Sequence, residues 1–453
     1  MSRLPEVPST WTITKLGEVV DYDKTVKVEP NKIESSAWVL ELEDIEKHTS
    51  KLLARCKFSD RGSKSTKNHF EIGDVLYGKL RPYLNKVLIA DQAGYCSTEI
   101  IPLKTNDNLG ARFLFYWLKH PAFLDYVEAE SHGLNMPRLG TETGRAAPFV
   151  FAPHNEQKRI ADKLDAVLAR VDTCRDRLDR IPAIIKRFRQ SVVSYATDGG
   201  LTEDWRTQKY GCADKLIAET NLQDLCYRDR VITYGVIKLG DDIANGVPCL
   251  RTSNVRWLKF ENDGMKKIAQ SLSNEYSRTI LQGNEVLVNV RGTLGGVAVA
   301  TSDMAGWNVS REVAVIPGNI TTVNPQFLAL WIGADRSQRW LSGVERGVAY
   351  TGINLEDLRT LPVAIPKLDE QIEIVRRVES LFAYADRLEA RYQAARTQVE
   401  KLTPALLAKA FRGELVPQDP NDEPASELLA RIAARKIDAL AKKRAGKMSK
   451  STA

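Results

Sequence analysis

Arginine, asparagine and lysine residues recur between the short apolar runs of this sequence, and their chemistry suits contacts to nucleic acid. Arginine and asparagine can pair in bidentate fashion with guanine and adenine edges, whereas lysine mainly neutralises phosphate. Singly, each such residue is more often a solvated surface charge than a base reader. The candidates are Lys64, Lys67, Lys79, Arg81, Lys86 and Arg138 in the first part of the chain, and Arg251, Asn254, Arg256, Asn289, Arg291, Arg311, Arg346 and Tyr350 in the second.

Some of these residues follow two similar apolar runs. Lys79 and Arg81 come after the predicted strand at residues 75–77, and Asn289 and Arg291 come at the end of the run 286–290. Short runs of branched and aromatic residues between polar turns predict strands. We therefore predict that Arg81 and Arg291 lie in equivalent loops and contact DNA.

Motifs for catalysis are absent from the sequence. It contains no phosphate-binding loop, no zinc-protease helix motif and no serine-hydrolase elbow. The glycine-rich residues 292–296 have no following helix, so they predict a hairpin turn. Residues 324–327 (Asn-Pro-Gln-Phe) superficially resemble the loop of adenine methyltransferases but lack its second proline, and we predict that they begin a helix.

The size and charge of the chain allow several classes of protein. Its 453 residues predict two or three domains, and a net charge of +7 permits nucleic-acid binding without proving it. Six well-separated cysteines give no zinc-ligand spacing, and no apolar stretch could span a membrane. We expect a cytoplasmic protein whose basic C-terminal tail, from Lys436 onward, is a solvated end.

Two long helices with one apolar spacing are predicted. Apolar residues recur at alternating steps of four and three, which is the period of a coiled-coil seam. The first seam comprises Ile160, Leu164, Val167, Val171, Cys174, Leu178, Ile181, Ile185, Phe188, Val192 and Tyr195. Adding 214 gives the second, with Ile374, Val378, Leu381, Ala385, Leu388, Tyr392, Ala395, Val399, Leu402 and Leu406, and only the last position, Lys409, fails. Pro182 predicts a kink or break near Arg180.

The same offset relates other parts of the chain. Glu156-Gln157 matches Glu370-Gln371, Trp117 matches Trp331 and Pro148 matches Pro362. An internal repeat of this kind decides the architecture before any local motif does. We predict an α+β fold with two mixed α/β domains separated by two long helices that pair as an antiparallel coiled coil. The predicted segments are a first domain (1–152), a first long helix (153–200), a second domain (201–365), a second long helix (366–415) and a C-terminal linker, short helix and tail (416–453).

With the repeat established, the whole chain resembles the specificity subunits of Type I restriction–modification systems. In that family each of two target recognition domains is followed by a long helix that opens with proline and then Glu-Gln, as at residues 153–157 and 366–371. Residues 201–206 and 410–416 also resemble sequences found after those helices. The chain departs from the pattern in the longer spacing at Pro366 and in the interruption at Pro182.

The resemblance implies a non-catalytic subunit that binds a bipartite, asymmetric DNA site. Each recognition domain would read one half-site of double-stranded DNA, and the helices would act as a spacer. Two methyltransferase (modification) subunits would dock on this chain, and restriction subunits would join in the full complex. The resemblance places S-adenosylmethionine, ATP and magnesium on those partner subunits, with no cofactor or metal on this chain.

Two other classes of protein remain open on the sequence alone. A structural adaptor with two duplicated protein-binding domains would explain the repeat and the seams, but not the different polar loops of the two copies. A self-contained methyltransferase would need cofactor motifs that the sequence lacks. DNA binding that weakens with salt would separate a DNA-binding subunit from an adaptor, and methyl transfer by the isolated chain would reveal a methyltransferase.

Overall fold

A computed structural model describes residues 4–22, 24–133, 135–214, 217–344 and 352–436. The chain divides into two compact units, one of Met1–Leu178 with Ala395–Ala453 and one of Asp179–Ala394. The units are defined by packing, so each combines a mixed domain with parts of the long helices. The five segment boundaries drawn from the sequence remain a prediction.

The first unit is built from short elements that precede one long helix. Its strands are β1 (Thr12–Lys15), β2 (Val26–Val28), β3 (Trp38–Leu40), β4 (Cys56–Lys57), β5 (Lys67–Phe70), β6 (Val75–Gly78), β7 (Val87–Ile89), β8 (Gly94–Cys96), β9 (Ile100–Leu103) and β10 (Pro148–Phe151). Its helices are α1 (Leu16–Val19), α2 (Phe58–Arg61), α3 (Ala111–Leu118), α4 (Pro121–Glu130), α5 (Thr141–Ala146) and α6 (His154–Leu178). Residues 425–436 are also helical.

The second unit repeats this arrangement with differences in its loops. Its strands are β11 (Ala218–Asn221), β12 (Thr233–Tyr234), β13 (Val247–Leu250), β14 (Val255–Arg256), β15 (Lys259–Phe260), β16 (Lys266–Ile268), β17 (Val286–Asn289), β18 (Val297–Val299), β19 (Asn308–Val309), β20 (Val313–Ile316) and β21 (Pro362–Ile365). Its helices are α7 (Ile181–Thr197), α8 (Glu203–Tyr210), α9 (Gln270–Glu275), α10 (Pro325–Gly333), α11 (Asp335–Gly343) and α12 (Leu355–Arg359). Helix α13 (Leu368–Phe411) belongs to this unit up to Ala394 and to the first from Ala395 onward.

The sheets show that the repeat is structural. Strands β7-β6-β9 form an antiparallel sheet in the first unit, and β12-β20-β17-β18 form its counterpart in the second. Parallel pairs β3-β8 and β13-β19 also correspond, since Leu40 faces Cys96 and Leu250 faces Val309. In each unit the first and last strands pair antiparallel, β1 with β10 and β11 with β21. In both copies, therefore, the last strand pairs with the first and then leads into a long helix.

Most of the elements predicted from the sequence are present. The mixed helix-and-strand class is confirmed, and helices α3 and α10 occupy equivalent places in the repeat, since Trp117 lies in the first and Trp331 in the second. The glycine-rich residues 292–296 connect the antiparallel strands β17 and β18, as a hairpin turn requires. Asn324 caps helix α10, its side chain accepting from the backbone N–H groups of Gln326 and Phe327. This loop thus begins a helix, as predicted.

Proline interrupts the first long helix at the predicted place. Helix α6 ends at Leu178 and α7 begins at Ile181, with Pro182 in the first turn of α7. Proline is tolerated there because the first turn of a helix has no acceptor for its N–H. In α13, Pro404 lies inside the helix without ending it.

The apolar seams are buried at some positions and drift off the packed face at others. Buried members are Ile160, Leu164, Val171, Ile185, Val192, Ile374, Val378 and Ala385, and half-buried members are Val167, Leu178, Ile181, Phe188, Leu381, Leu388, Tyr392, Ala395, Val399 and Leu406. Leu402 is 43 % exposed, and the packed face of α13 moves to Leu407, Ala410 and Phe411. Cys174 is exposed as well. A straight helix has 3.6 residues per turn, so a strict spacing of 3.5 rotates away by about 20° per heptad.

In the second unit the long helices run antiparallel. Arg189 of α7 pairs with Asp386 at 2.6 Å and Glu389 at 2.9 Å in α13. Beyond the end of α7, Leu201 accepts a hydrogen bond from Arg377, and Thr202 donates to Glu370. Residue numbers rise along α7 and its continuation while the numbers of their partners in α13 fall, so the two segments are antiparallel.

No helix within the described parts of the chain is long and apolar enough to cross a membrane. Of the basic tail predicted from the sequence, Lys436 donates hydrogen bonds from Nζ to the carbonyl oxygens of Gly17 and Glu18. The rest of the tail lies outside the described residues.

Candidate nucleic-acid interface

The candidate loop of the first unit begins where β6 ends. The backbone N–H of Lys79 donates to the Glu99 carbonyl at 2.9 Å, and Leu139 donates to the Lys79 carbonyl at 3.0 Å. Arg81 then donates its N–H to Pro137 at 2.7 Å. These hydrogen bonds join the loop to Glu99, the residue before β9, and to residues 137–139, so the loop backbone is fixed.

The second unit has the same backbone connections one residue later than the sequence comparison implied. Val290 donates to Glu312 at 2.9 Å, and Ile353 donates to Val290 at 2.8 Å. Val290 is thus the counterpart of Lys79, and Arg291 is the counterpart of Leu80. The loops are equivalent, as the sequence suggested, but Arg81 corresponds to Gly292 and not to Arg291. Loops of different length shifted the register that the sequence comparison had assumed.

The side chains of the loops that follow β6 and β17 differ between the two copies. Arg81 is exposed, and Arg138 pairs through Nε with Glu99 at 3.1 Å while staying half exposed. In the second unit the corresponding positions are Gly292 and Gly352, and Arg291 extends its guanidinium to 5.9 Å from the ring centre of Tyr234. An edge with a common backbone and different polar groups is what reading two different sequences requires.

Three predicted DNA contacts are instead structural. Lys67 is 2 % exposed, and its ammonium pairs with Glu41 at 2.7 Å. Asn254 is fully buried and donates to the carbonyls of Glu261 and Asp263. Asn289 is 2 % exposed and donates to the carbonyls of Thr252, Val255 and Thr293. Their polar groups are needed inside the fold, so the prediction of DNA contact is wrong for these residues.

Three other candidates already form a hydrogen bond or an ion pair within the protein. Lys86 donates to the Leu42 carbonyl at 2.6 Å, and Arg251 donates to the Gly264 carbonyl at 2.7 Å. Arg256 pairs with Glu261 at 2.9 Å. Lys64 is exposed, whereas Lys79 and Arg311 are half-buried. Arg346 and Tyr350 lie outside the described residues.

A buried glutamine side chain joins each long helix to the mixed domain that precedes it in the chain. Gln157 accepts from the Gly110 N–H at 3.0 Å and donates to Asn108 and Ala152 carbonyls. Gln371 repeats these bonds with Asn324, Thr322 and Pro366. The sequence marked both residues as part of a repeat, but their role in fixing the domain onto the helix became visible only in the structure.

Comparisons with known proteins agree with this architecture. The family model described as the Type I restriction modification DNA specificity domain matches residues 8–183 and 234–395. The chain belongs to this family. It is therefore a DNA-sequence-recognition subunit and not itself an enzyme, and the resemblance predicted from the sequence is confirmed.

Individual relatives span most of the chain. The EcoBI specificity subunit of Escherichia coli is 36 % identical over 69 % of this chain and 67 % of its own length. The EcoKI specificity subunit of Escherichia coli strain K12 is 30 % identical, with 74 % of each chain covered. The crystal structure of the HsdS subunit from Thermoanaerobacter tengcongensis has a TM-score of 0.58 at 19 % identity, covering 90 % of this chain and 98 % of that one. A chain from a type I restriction–modification complex has a TM-score of 0.73 at 18 % identity, with 90 % and 99 % covered, and shows the same fold.

Proposed function

We propose that each of the two units reads one half of a bipartite, asymmetric DNA site. The observation that carries this proposal is the pair of edges after β6 and β17, which share backbone hydrogen bonds but differ in side chains. The first edge carries Arg81 and Arg138, and the second carries Arg291 beside Gly292 and Gly352. Two copies of one scaffold with unlike polar groups would recognise unlike half-sites.

Among the predicted contacts, those with free surface remain candidates for DNA. In the first unit these are Lys64, Lys79, Arg81 and Arg138, and in the second they are Arg251, Arg256, Arg291 and Arg311. Lysines would contact phosphates, since a compact ammonium neutralises charge without reading a base, whereas arginines could reach base edges.

The long helices would form the spacer between the half-sites as an antiparallel coiled coil. The antiparallel contacts of α7 with α13, and the alternating apolar positions of α6 and α13, support this proposal. The two methyltransferase subunits would dock on the chain, and restriction subunits would join them in the complete complex in the cytoplasm. S-adenosylmethionine, ATP and magnesium would be bound by those partners.

Mapping methylated positions in DNA from a host that carries the complete system tests this proposal. We expect one two-part motif with a fixed gap, whose halves differ in sequence. Binding of the purified chain to random duplex DNA should weaken as salt rises, because phosphate contacts release counterions. An adaptor would show no salt-dependent DNA binding. Methyl transfer by the chain alone, without partner subunits, would contradict the proposed division of labour.

A further inference from the structure

Residues with a left-handed backbone conformation are concentrated in two turns of the first unit. His48 and Ser50 have φ of 64° and 65°, and Arg81 and Asn85 have φ of 50° and 46°. Only two other non-glycine residues in the described parts of the chain, Leu258 and Asn284, have positive φ. Side chains with a Cβ adopt this region at a cost, and such outliers cluster at binding and catalytic sites.

The two turns are joined to each other. The N–H of His48 donates to the Leu84 carbonyl at 3.0 Å, which links residues 46–51 to residues 81–85. We call these two segments the paired turns. Nζ of Lys86 donates to the Leu42 carbonyl at 2.6 Å, so residues next to the two turns are held together as well.

Lys119, the residue that follows helix α3, supports the first of the paired turns. Nζ of Lys119 donates to Oγ of Ser50 at 2.8 Å and to the carbonyl of Thr49 at 3.3 Å. Burial lowers the pKa of Lys119 to about 8, so holding the turn in this way takes a cation out of water. The paired turns are thus over-determined by hydrogen bonds, which is what lets strained backbone persist.

The internal repeat shows that the strain at Arg81 is not required by the fold. Gly292 occupies the corresponding position in the second unit with φ of 72°, and glycine adopts that conformation without a steric penalty. Arg81 also precedes Pro82, a position at which helical conformations are disfavoured. A scaffold that accepts glycine here therefore carries an arginine at an energetic cost.

The paired turns present a basic and aromatic surface to solvent. Lys47, His48, Thr49 and Arg81 are exposed, and the ring of Tyr83 is 44 % exposed between the two left-handed residues of its turn. Glu46 is half-buried and accepts a hydrogen bond from the Thr49 hydroxyl. A cation and an aromatic ring on a fixed backbone match the needs of contacts to phosphate and to base edges.

We propose that the paired turns are the DNA-reading surface of the first unit. Arg81 and Tyr83 contact base edges, and Lys47 and His48 contact the phosphates beside them. The inference rests on the proposed function, and it adds Tyr83 to the residues that read bases and Lys47 and His48 to those that hold the DNA backbone. The backbone of both turns is fixed before DNA arrives, so only the side chains have to be ordered on binding.

Arg81→Gly is the sharpest variant for testing this surface. It removes the guanidinium while relieving the left-handed strain, so the thermal unfolding midpoint should stay the same or rise. Tyr83→Ala is the second variant. Asn284→Gly is the matched control, since Asn284 is an exposed left-handed residue before β17, at the end of that strand opposite to Arg291, and its counterpart Gly73 has φ of 87°.

The full chain in complex with its methyltransferase subunits would be assayed on a plasmid library of randomised sites, with methylated sequences read by sequencing. We expect Arg81→Gly and Tyr83→Ala each to lower discrimination by about 10-fold or more at positions of one half-site. The other half-site and the gap should be unchanged, and Asn284→Gly should behave as wild type.

Three results would overturn the inference. The first is unchanged sequence preference in both variants while wild type recognises a two-part site. The second is loss of methyltransferase subunits from the variant complexes with the motif unchanged, which would make the paired turns a protein-docking surface. The third is a wild-type complex that recognises no two-part site, which would remove the proposed function together with the inference.

Discussion

Gln157 and Gln371 show how one side chain fixes a long helix to the domain before it. Each amide accepts one backbone N–H and donates to two backbone carbonyls, at positions 214 residues apart. A planar amide offers one acceptor oxygen and two N–H donors, and glutamate, which has the same shape, offers no donor when it is ionised. Both residues are almost fully buried, so none of these bonds can be replaced by water without opening the packing.

Gln371→Glu should destabilise the chain strongly. The substitution turns the donor that faces Thr322 and Pro366 into a carboxylate oxygen, so two carbonyls lose their donor and face negative charge. We expect a loss of about 3 kcal/mol in the free energy of unfolding, measured by urea denaturation. The same change at exposed Gln208 is the control and should cost less than about 0.5 kcal/mol. Equal effects at both positions would show that the amide network does not hold the helix.

Residue type alone could not separate DNA contacts from structural groups. Asn254 and Asn289 have the chemistry of adenine readers, but buried carbonyls take up their donors. Arg81 looks like any other exposed arginine in the sequence, and its left-handed backbone depends on hydrogen bonds to residues far along the chain. His48 carried no sequence signal, because its left-handed backbone and its place beside residues 81–85 arise only from the pairing of two distant turns.

At the scale of elements, a buried glutamate stands at the start of each long helix and meets different partners in the two units. Glu370 of α13 accepts from the Thr202 hydroxyl and pairs with Arg206, whose guanidinium also donates to the Gly199 carbonyl. Glu156 of α6 accepts from Nε1 of Trp11 at 2.8 Å and from the amide of Gln418. Burial raises the pKa of Glu156, and the hydrogen bonds from Trp11 and Gln418 offset only part of that rise.

Glu370→Gln should cost much more stability than Glu156→Gln. The first change leaves the buried Arg206 guanidinium without a countercharge, for which we expect a loss of about 3–5 kcal/mol. The second keeps one of the two acceptor oxygens and turns the other into an NH2 group, but it leaves no buried charge unpaired, so we expect a smaller loss of about 1–2 kcal/mol. Urea denaturation of both variants beside wild type measures the difference. A larger loss for Glu156→Gln would mean that the charge on Glu370 is not what holds helix α8 to α13.

The elements themselves were predictable where their signals are local. Pro182 marked the helix break, Asn324 marked a helix start, and alternating apolar runs marked β6 and β17. The exposure of Leu402 was not predictable. An apolar spacing of 3.5 residues implies a supercoiled helix pair, and the packing around Phe411 does not follow that spacing. The register of the two candidate loops also needed the hydrogen bonds of Val290, since loop lengths differ between the copies.

For the whole molecule, the repeat makes one domain a natural replacement for the other. Residues 16–146 begin and end beside the paired strands β1 and β10, where Lys15 faces Pro148. Residues 222–360 begin and end beside β11 and β21, where Asn221 faces Pro362. The strand pairing fixes the junctions in the same way, because Leu16 donates to Ala147 at 2.8 Å and Leu222 donates to Leu361 at 2.9 Å.

The central claim is that each unit reads its own half-site, and replacing residues 16–146 with a second copy of residues 222–360 tests it most directly. The altered chain, assembled with its methyltransferase subunits, would be supplied with a plasmid library, and the methylated motif would be mapped by sequencing. We predict a motif that contains the second half-site twice and has lost the first. A motif that keeps the original first half-site would contradict the account.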